Sequence, residues 1–294
     1  MTFGLTHTFA ADAMHRLVLG LVASENANGA QVRPQTTVRS VGVLFGLANH
    51  TPYGGVPSWK ALAERSFAER LAAVRDSDQR GRLADDVNQH AGGIDPALLF
   101  PIDAAPADYS LDPERSLAAL AERAGTTPVE LWLDLLDRTD GACLLNWPFL
   151  NQSPAAVGEM LADPNVVLGL ADAGAHVGQI MDASQPTWFL SHWVRDRELC
   201  SVEEGVARLT SVPAQLFGIA ERGTLAEGAP ADVNVIDLDA LSLPLPEFAH
   251  DFPRGAGRWV QGGVGYDLTV VNGEITVEAG EHTGALPGRL IRAS

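Results

Sequence analysis

The sequence predicts an α/β fold that gives way to a β-rich carboxyl-terminal segment. Three stretches carry that expectation. Residues 10–45 run from good helix formers through Gly29 into a strand rich in valine and threonine, which is half of an α/β repeat. Residues 165–170, NVVLGL, are apolar and β-branched, as in a strand buried on both faces. From residue 222 onward, short alternating strands are joined by turns, the clearest being Asn272-Gly273.

Taken in order, AADAMHRLVLGLVASENAN (10–28) reads as a helix with Asp12 available to cap its start and Asn28-Gly29 to end it. AQVRPQTTVRSVGVLF (30–45) reads as a strand followed by a loop. Pro34 has no N–H to donate, so it marks a strand end or a sheet edge. Residues 46–140 form a long, mostly helical excursion between two strands. Within it, KALAERSFAERLAAVRD is a helix, and SLAALAERAG and PVELWLDLLDRTDG are a second helical pair, each with a cap. Such an excursion is either a lid or substrate pocket or a packing insert without chemistry. GACLLNW (141–147) comes next as a short strand, and SPAAVGEMLAD (153–163) as a capped helix. VEEGVARLTSVPAQLFGI (202–219) is helical with an interruption at Pro213.

Composition narrows the function classes. A chain of 294 residues is long enough for one large domain or two modest ones. Its net charge of −17 repels nucleic acid and anionic membrane, so neither is an expected partner. Lys60 is the only lysine, and its polar-flanked helical setting makes it a poor candidate for Schiff-base or carbamylated-lysine chemistry. Cys143 and Cys200 are too few for a disulfide framework and suit a reducing compartment. No apolar run has membrane-span length, and the first residues lack the basic region of a signal peptide, so a cytoplasmic location is expected.

The nucleophile elbow G-x-S-x-G, the phosphate loop G-x-x-x-x-G-K-[ST], the zinc helix H-E-x-x-H and any H-x-H pair are all absent from the sequence. The residues that stand out are in VVLGLADAGAHVG. Asp172 ends an apolar strand, where α/β barrels place catalytic groups, and the small residues after it admit a substrate close to the backbone. The plainer alternative is that Asp172 caps the next turn. His176 then reads as a substrate contact or as a structural histidine. Gln35 and Arg39 lie just past a strand end on the same expected face, which makes them substrate-pocket candidates. His192 and Arg195 are explained equally by substrate contact and by a helical surface. Cys143 reads as a small buried apolar residue.

VLGLADAGAHVG, TWFLSHWVRDR, TSVPAQLFGIAERGTLAEGAPADVNVIDLDAL and GEHTGALPGRLIRAS together resemble the carboxyl-terminal half of metal-dependent amidohydrolases, in the branch of the N-acyl-D-amino-acid deacylases (D-aminoacylases). The G-x-L-x-x-G-x-x-A-D segment at 223–232 is the most specific sign. The resemblance implies an α/β barrel with the 46–140 insertion over residues 1–221, and strands of a small β-sandwich over 222–294. It implies that VRPQT and VVLGLAD are the seventh and eighth barrel strands. It also implies zinc as cofactor, a small amide as substrate, and Asp172 as the group that handles the proton of a metal-bound water. The family's metal-binding histidines would lie before the first residue of this sequence, and Ala171 stands where many relatives have serine. The expectation is therefore a partial enzyme that self-associates or pairs with a complementary amino-terminal half; the rival is a catalytically silent folding or interaction partner. A metal-free hydrolase using Asp172 and His176 is disfavoured because no nucleophile lies near them.

Overall fold

The computed structural model describes residues 1–90, 92–169, 171, 173–219 and 221–292. In chain order, β1 (Thr2–Gly4) and α1 (Met14–Ala27) lead to β2 (Arg33–Thr36) and β3 (Val41–Phe45). Helices α2 (Pro57–Ala63), α3 (Phe67–Arg75) and α4 (Ser77–Gln89) precede β4 (Phe100–Ile102). Helices α5 (Leu117–Ala124) and α6 (Pro128–Arg138) precede β5 (Leu144–Leu150). Next come α7 (Pro154–Ala162), β6 (Val167–Leu168) and α8 (Gln185–Trp188), which runs into a π-helical stretch over Phe189–Asp196. Helices α9 (Val202–Leu209) and α10 (Ser211–Leu216) are succeeded by β7 (Val233–Ile236), β8 (Glu247–Ala249), β9 (Arg258–Val260), β10 (Tyr266–Val271), β11 (Glu274–Glu278) and β12 (Glu281–His282).

The α/β repeat expected near the start is present, and it is longer by one strand. β1, β2 and β6 form a parallel sheet in the order β1-β2-β6, with α1 crossing from β1 to β2 and α7 leading into β6. β1 is only three residues long, too short to leave a pattern in the sequence. Pro34 occupies the central strand rather than an edge. This is tolerated because β6 pairs only with Gln35 and Thr36, so the ladder needs no donor from position 34. Asp12 does not cap α1; its carboxylate accepts a hydrogen bond from His7 Nε2 at 2.7 Å. The stretch 30–45 holds two strands, because the chain turns at residues 37–40 and enters an antiparallel sheet as β3.

That second sheet, in the order β3-β5-β4, brackets the helical excursion. Val41 of β3 pairs with Leu150 of β5, so the excursion leaves and returns side by side. Its helices start on strong signals. Ser66 and Glu69 form a reciprocal capping box on α3, and Thr127 and Glu130 do the same on α6. They close around a core of their own, in which Trp59 and Trp132 are stacked with ring centroids 5.3 Å apart, packed among Leu99, Leu133 and Leu136.

The other core joins the parallel sheet to the carboxyl-terminal segments: Leu5, Val38 and Met160 pack with Trp188, Phe189, Leu241, Leu243 and Trp259. Residues beyond 222 thus contribute to the same core as the first sheet. The expected break at Pro213 is not where the helix stops. Thr210, at φ −126° and ψ −85°, separates α9 from α10, and Pro213 sits in the first turn of α10, where a missing N–H costs no helical bond. The expected hairpin is present: Asn272 (φ +49°) and Gly273 (φ +85°) connect β10 to β11 in a sheet of order β12-β11-β10-β7. Among the described residues no helix is long and apolar enough to cross a membrane.

Candidate active site at the ends of the parallel strands

In β2 the side chains alternate between the two faces of the sheet. Thr36 is fully buried and its hydroxyl approaches Met160 Sδ of α7 at 3.7 Å, which marks the helix-covered face. Gln35 lies on the opposite face, half-buried, with its Nε2 donating to Thr2 Oγ1 at 2.7 Å. Gly169, just past β6, continues the pairing by donating its N–H to the Thr36 carbonyl at 3.0 Å. A Cβ at Gly169 would lie 2.4 Å from Gln35 Oε1, so the strand leaves the sheet directly over this side chain and a larger residue at 169 would displace it. Asp172, the strongest candidate from sequence, lies outside the described residues, as does Leu170.

The chain after Asp172 turns sharply. His176 is exposed, with a left-handed φ of +48°, and its carbonyl accepts from the N–H groups of Gln179 (2.7 Å) and Ile180 (2.9 Å). The loop is then tied down by main-chain bonds. Trp259 N–H donates to Val177 O at 2.8 Å, Asn49 Nδ2 to Gly178 O at 2.8 Å and Leu44 N–H to Gln179 O at 2.7 Å. Gln35 thus lies against Gly169, and His176 opens the turn that leads to Ile180.

Arg39 is placed differently. Its guanidinium is buried and paired with Asp182, Nη1 to Oδ1 at 3.0 Å. Nη2 donates to Met181 O (2.8 Å) and Ser184 Oγ (3.2 Å), and the guanidinium carbon sits 3.7 Å above the ring of Tyr109. The cavity beside it, bordered by Ser40, Asn151 and His192, measures about 10 Å³, room for one water and not for an amide. Burial also pushes the Tyr109 phenol above its ordinary pKa, with Arg39 acting in the opposite direction. His192 stacks on Trp188 at 4.5 Å, and burial, then the Arg197 charge, holds its imidazole below the ordinary range. Arg195 donates to the carbonyls of Leu238, Asp239 and Leu241, which explains it as a brace between segments. Cys143 is fully buried, and desolvation pushes its thiol upward, as its apolar neighbourhood suggested.

Sequence reasoning missed two residues at these strand ends. His7, beyond β1, is fully buried, edge-on to His15 at 5.5 Å, while His15 Nε2 bonds Glu159 of α7 at 3.0 Å. Asn151, just past β5 with φ +52°, joins β1 to β2. Its Oδ1 accepts from His7 N–H (2.8 Å), and its Nδ2 donates to Thr37 Oγ1 (2.6 Å) and Thr36 Oγ1 (3.2 Å). Asn151 has no local signal, because its partners lie more than a hundred residues away, and His7, beside a helix start, reads in the sequence as a residue without a catalytic role. Among the described residues no group of three or more His, Cys, Asp or Glu side chains could hold a metal ion.

The candidate polar groups lie at the carboxyl ends of parallel strands joined by a crossing helix, which is where α/β barrels carry their active sites. A family model described as the amidohydrolase family matches residues 47–277. The chain belongs to that family. As an amidohydrolase it is 49% identical over 55 residues to an N-acyl-D-glutamate deacylase of Alcaligenes xylosoxydans xylosoxydans, covering 19% of this chain and 11% of that one. It is 33% identical over 130 residues to an uncharacterized protein of Mycobacterium bovis, covering 42% of this chain and 21% of the relative. Among solved structures, a D-aminoacylase superposes with a TM-score of 0.51 at 18% identity, covering 99% of this chain and 49% of that one. A second D-aminoacylase structure, also at TM-score 0.51 and 17% identical, with coverage of 99% and 49%, is described as having a binuclear metal centre. The amidohydrolase chain therefore spans about half the length of the solved D-aminoacylases and much less of the curated relatives.

Proposed function

We propose that this chain supplies the closing part of a metal-dependent amidohydrolase that hydrolyses the non-peptide C–N bond of an N-acyl-D-amino acid or a similar small amide. The observation that carries the reading is the exit of β6 over Gln35 at the carboxyl edge of a parallel sheet, shortly before Asp172, in a chain of the amidohydrolase family. In this reading residues 1–221 belong to an α/β barrel, with 46–140 as its insertion, and 222–294 belong to a small β-rich domain. The Asp172 carboxylate takes a proton from the water that adds to the amide carbonyl carbon, then delivers it to the nitrogen as the C–N bond breaks. In this reading Gln35 and His176 would orient the substrate. Arg39, enclosed by its ion pair, has no free face to offer one.

In the D-aminoacylase reading a zinc ion supplies water activation and carbonyl polarisation. The described residues do not form a ligand set for it. The same observation favours a second reading, in which the chain is catalytically silent and serves as a folding or interaction partner. The exposed Met14, Leu17 and Leu21 on α1, beside the open edge of β1, support association with a second copy or with a complementary amino-terminal half.

The test is turnover of N-acyl-D-amino acids by the chain reconstituted with a complementary half carrying metal-binding histidines. Asp172→Asn should lower kcat by about 10²–10⁴-fold or more, since an amide cannot accept the proton. Turnover close to that of the unaltered protein would remove Asp172 from the mechanism. Stoichiometric micromolar zinc binding by the isolated chain would count against the silent-partner reading.

A further inference from the structure

The segment from Gly169 to Ser184 carries Asp172 and His176, and its composition gives it little intrinsic order: Ala173, Gly174, Ala175 and Gly178 offer at most a methyl group to pack. Both of its ends are nevertheless attached to one tetrapeptide, Thr36–Arg39. At the near end Gly169 N–H bonds the Thr36 carbonyl at 3.0 Å. At the far end the Arg39 guanidinium holds Met181 O, Asp182 Oδ1 and Ser184 Oγ together at 2.8, 3.0 and 3.2 Å.

The tetrapeptide is itself immobilised. Asn151 Nδ2 bonds Thr37, whose hydroxyl donates to the Arg39 carbonyl at 2.6 Å, and Trp193 Nε1 donates to Val38 O at 2.6 Å. The clamp is braced from two further segments: Tyr109 lies flat under the guanidinium, and Gln261 Oε1 accepts from both Tyr109 (3.2 Å) and Ser184 (2.6 Å). A buried ion pair rarely adds stability over apolar side chains of the same volume, so its value is in fixing a geometry. A planar guanidinium is the side chain that can hold three acceptors and a ring face at once.

We propose that Arg39 is a positioning residue that, through Asp182, fixes the loop bearing Asp172 and His176 against the end of β2. The proposal rests on the reading of Asp172 as the proton-transfer group, and its first readout does not need activity. Arg39→Met alone strips the buried Asp182 carboxylate of its guanidinium counter-charge, so it should lower the thermal midpoint. The double variant Arg39→Met/Asp182→Asn removes both charges while keeping a hydrogen-bonding side chain at 182, and should recover most of that midpoint. A merely structural pair predicts that everything else recovers with it. A clamp predicts that in the double variant the amides of residues 177–184 exchange with deuterium at least about tenfold faster than in the unaltered chain, while those of α6 do not change.

Arg39→Lys, which keeps a charge opposite Asp182 and so keeps the fold, should accelerate the same amides by a smaller factor. In the reconstituted enzyme the double variant should lose about 10²-fold in kcat with KM nearly unchanged, the cost of a catalytic group misplaced by about 1 Å. Exchange in both variants indistinguishable from the unaltered chain would overturn the clamp. Absence of hydrolysis by the unaltered enzyme would overturn the reading of Asp172, and the exchange comparison would still decide the clamp.

Discussion

The helical excursion and the parallel sheet are built from the same chain by opposite means. The helices of the excursion pack on one another: α3 to α6 carry their own caps, and Trp59, Trp132, Leu133 and Leu136 are fully buried among them, while Ile102 and Tyr109 reach into the other core. Among the described residues the sheet has three strands with no further strand paired to β1 or β6, and α1 exposes Met14, Leu17 and Leu21. Polar residues do in the sheet what apolar ones do in the excursion. Asn151, Arg39 and Asp182 hold the strand ends in register, and the candidate catalytic loop hangs from them. Local, apolar order carries the excursion, and long-range polar order carries the site.

The largest expected effect breaks the excursion alone. Trp132→Ala removes a fully buried ring stacked on Trp59 and should cost about 3–5 kcal/mol in denaturant unfolding. If the two regions are as separate as their cores indicate, amides of β2 will keep their protection while those of α6 lose theirs. Equal loss in both would erase the distinction. A smaller version is Thr127→Ala, which deletes the capping-box hydroxyl of α6 and should cost about 1 kcal/mol, read from the same midpoint.

The smallest effect sharpens the other side of the comparison. Arg16 and His15 hold the Glu159 carboxyl at a pKa of about 2, below the usual range, and tie α1 to α7. Because the folded value is depressed, this contribution is present above the unfolded pKa of about 4.3 and fades as pH falls towards 2. The carboxylate is partly exposed, so the contribution is a few tenths to about 1 kcal/mol. Glu159→Gln should therefore lower the midpoint at about pH 7 and have little effect at about pH 2; an equal effect at both would exclude the ion pair. For the open side of the sheet, Leu17→Gln/Leu21→Gln should leave the midpoint unchanged and raise the concentration at which light scattering first reports association.

Legibility in the sequence divides along the same line. The helical pair α5–α6 and the Asn272-Gly273 hairpin were legible because their signals lie within a few residues of each other. KALAERSFAERLAAVRD, expected as one helix, instead breaks at the Ser66 cap into α2 and α3, and α4 was not expected at all. β1 was not legible, since three residues carry no period, and the central place of Pro34 depends on where β6 begins, more than a hundred residues later. The helix break at Thr210 rather than Pro213 shows that a proline in a first turn is compatible with helix. At the site, the strand that carries Gln35 was legible from its valine and threonine content, whereas the pairing of Arg39 with Asp182 leaves no trace in local sequence.

The pairing of Val41 with Leu150 gives the chain a modular seam. Paired strand residues have Cα atoms only about 4.5–5.5 Å apart, so a linker of about two or three residues could replace everything between them. Such a shortened chain would keep Asn151, and with it the bonds to His7, Thr36 and Thr37. It would lose Tyr109 from beneath Arg39, and the bonds from Leu44 and Asn49 to the carbonyls of Gln179 and Gly178. The seam is thus a natural splice point at which an engineer could exchange the excursion for another, provided the replacement returns an aromatic ring to the guanidinium and two donors to the loop.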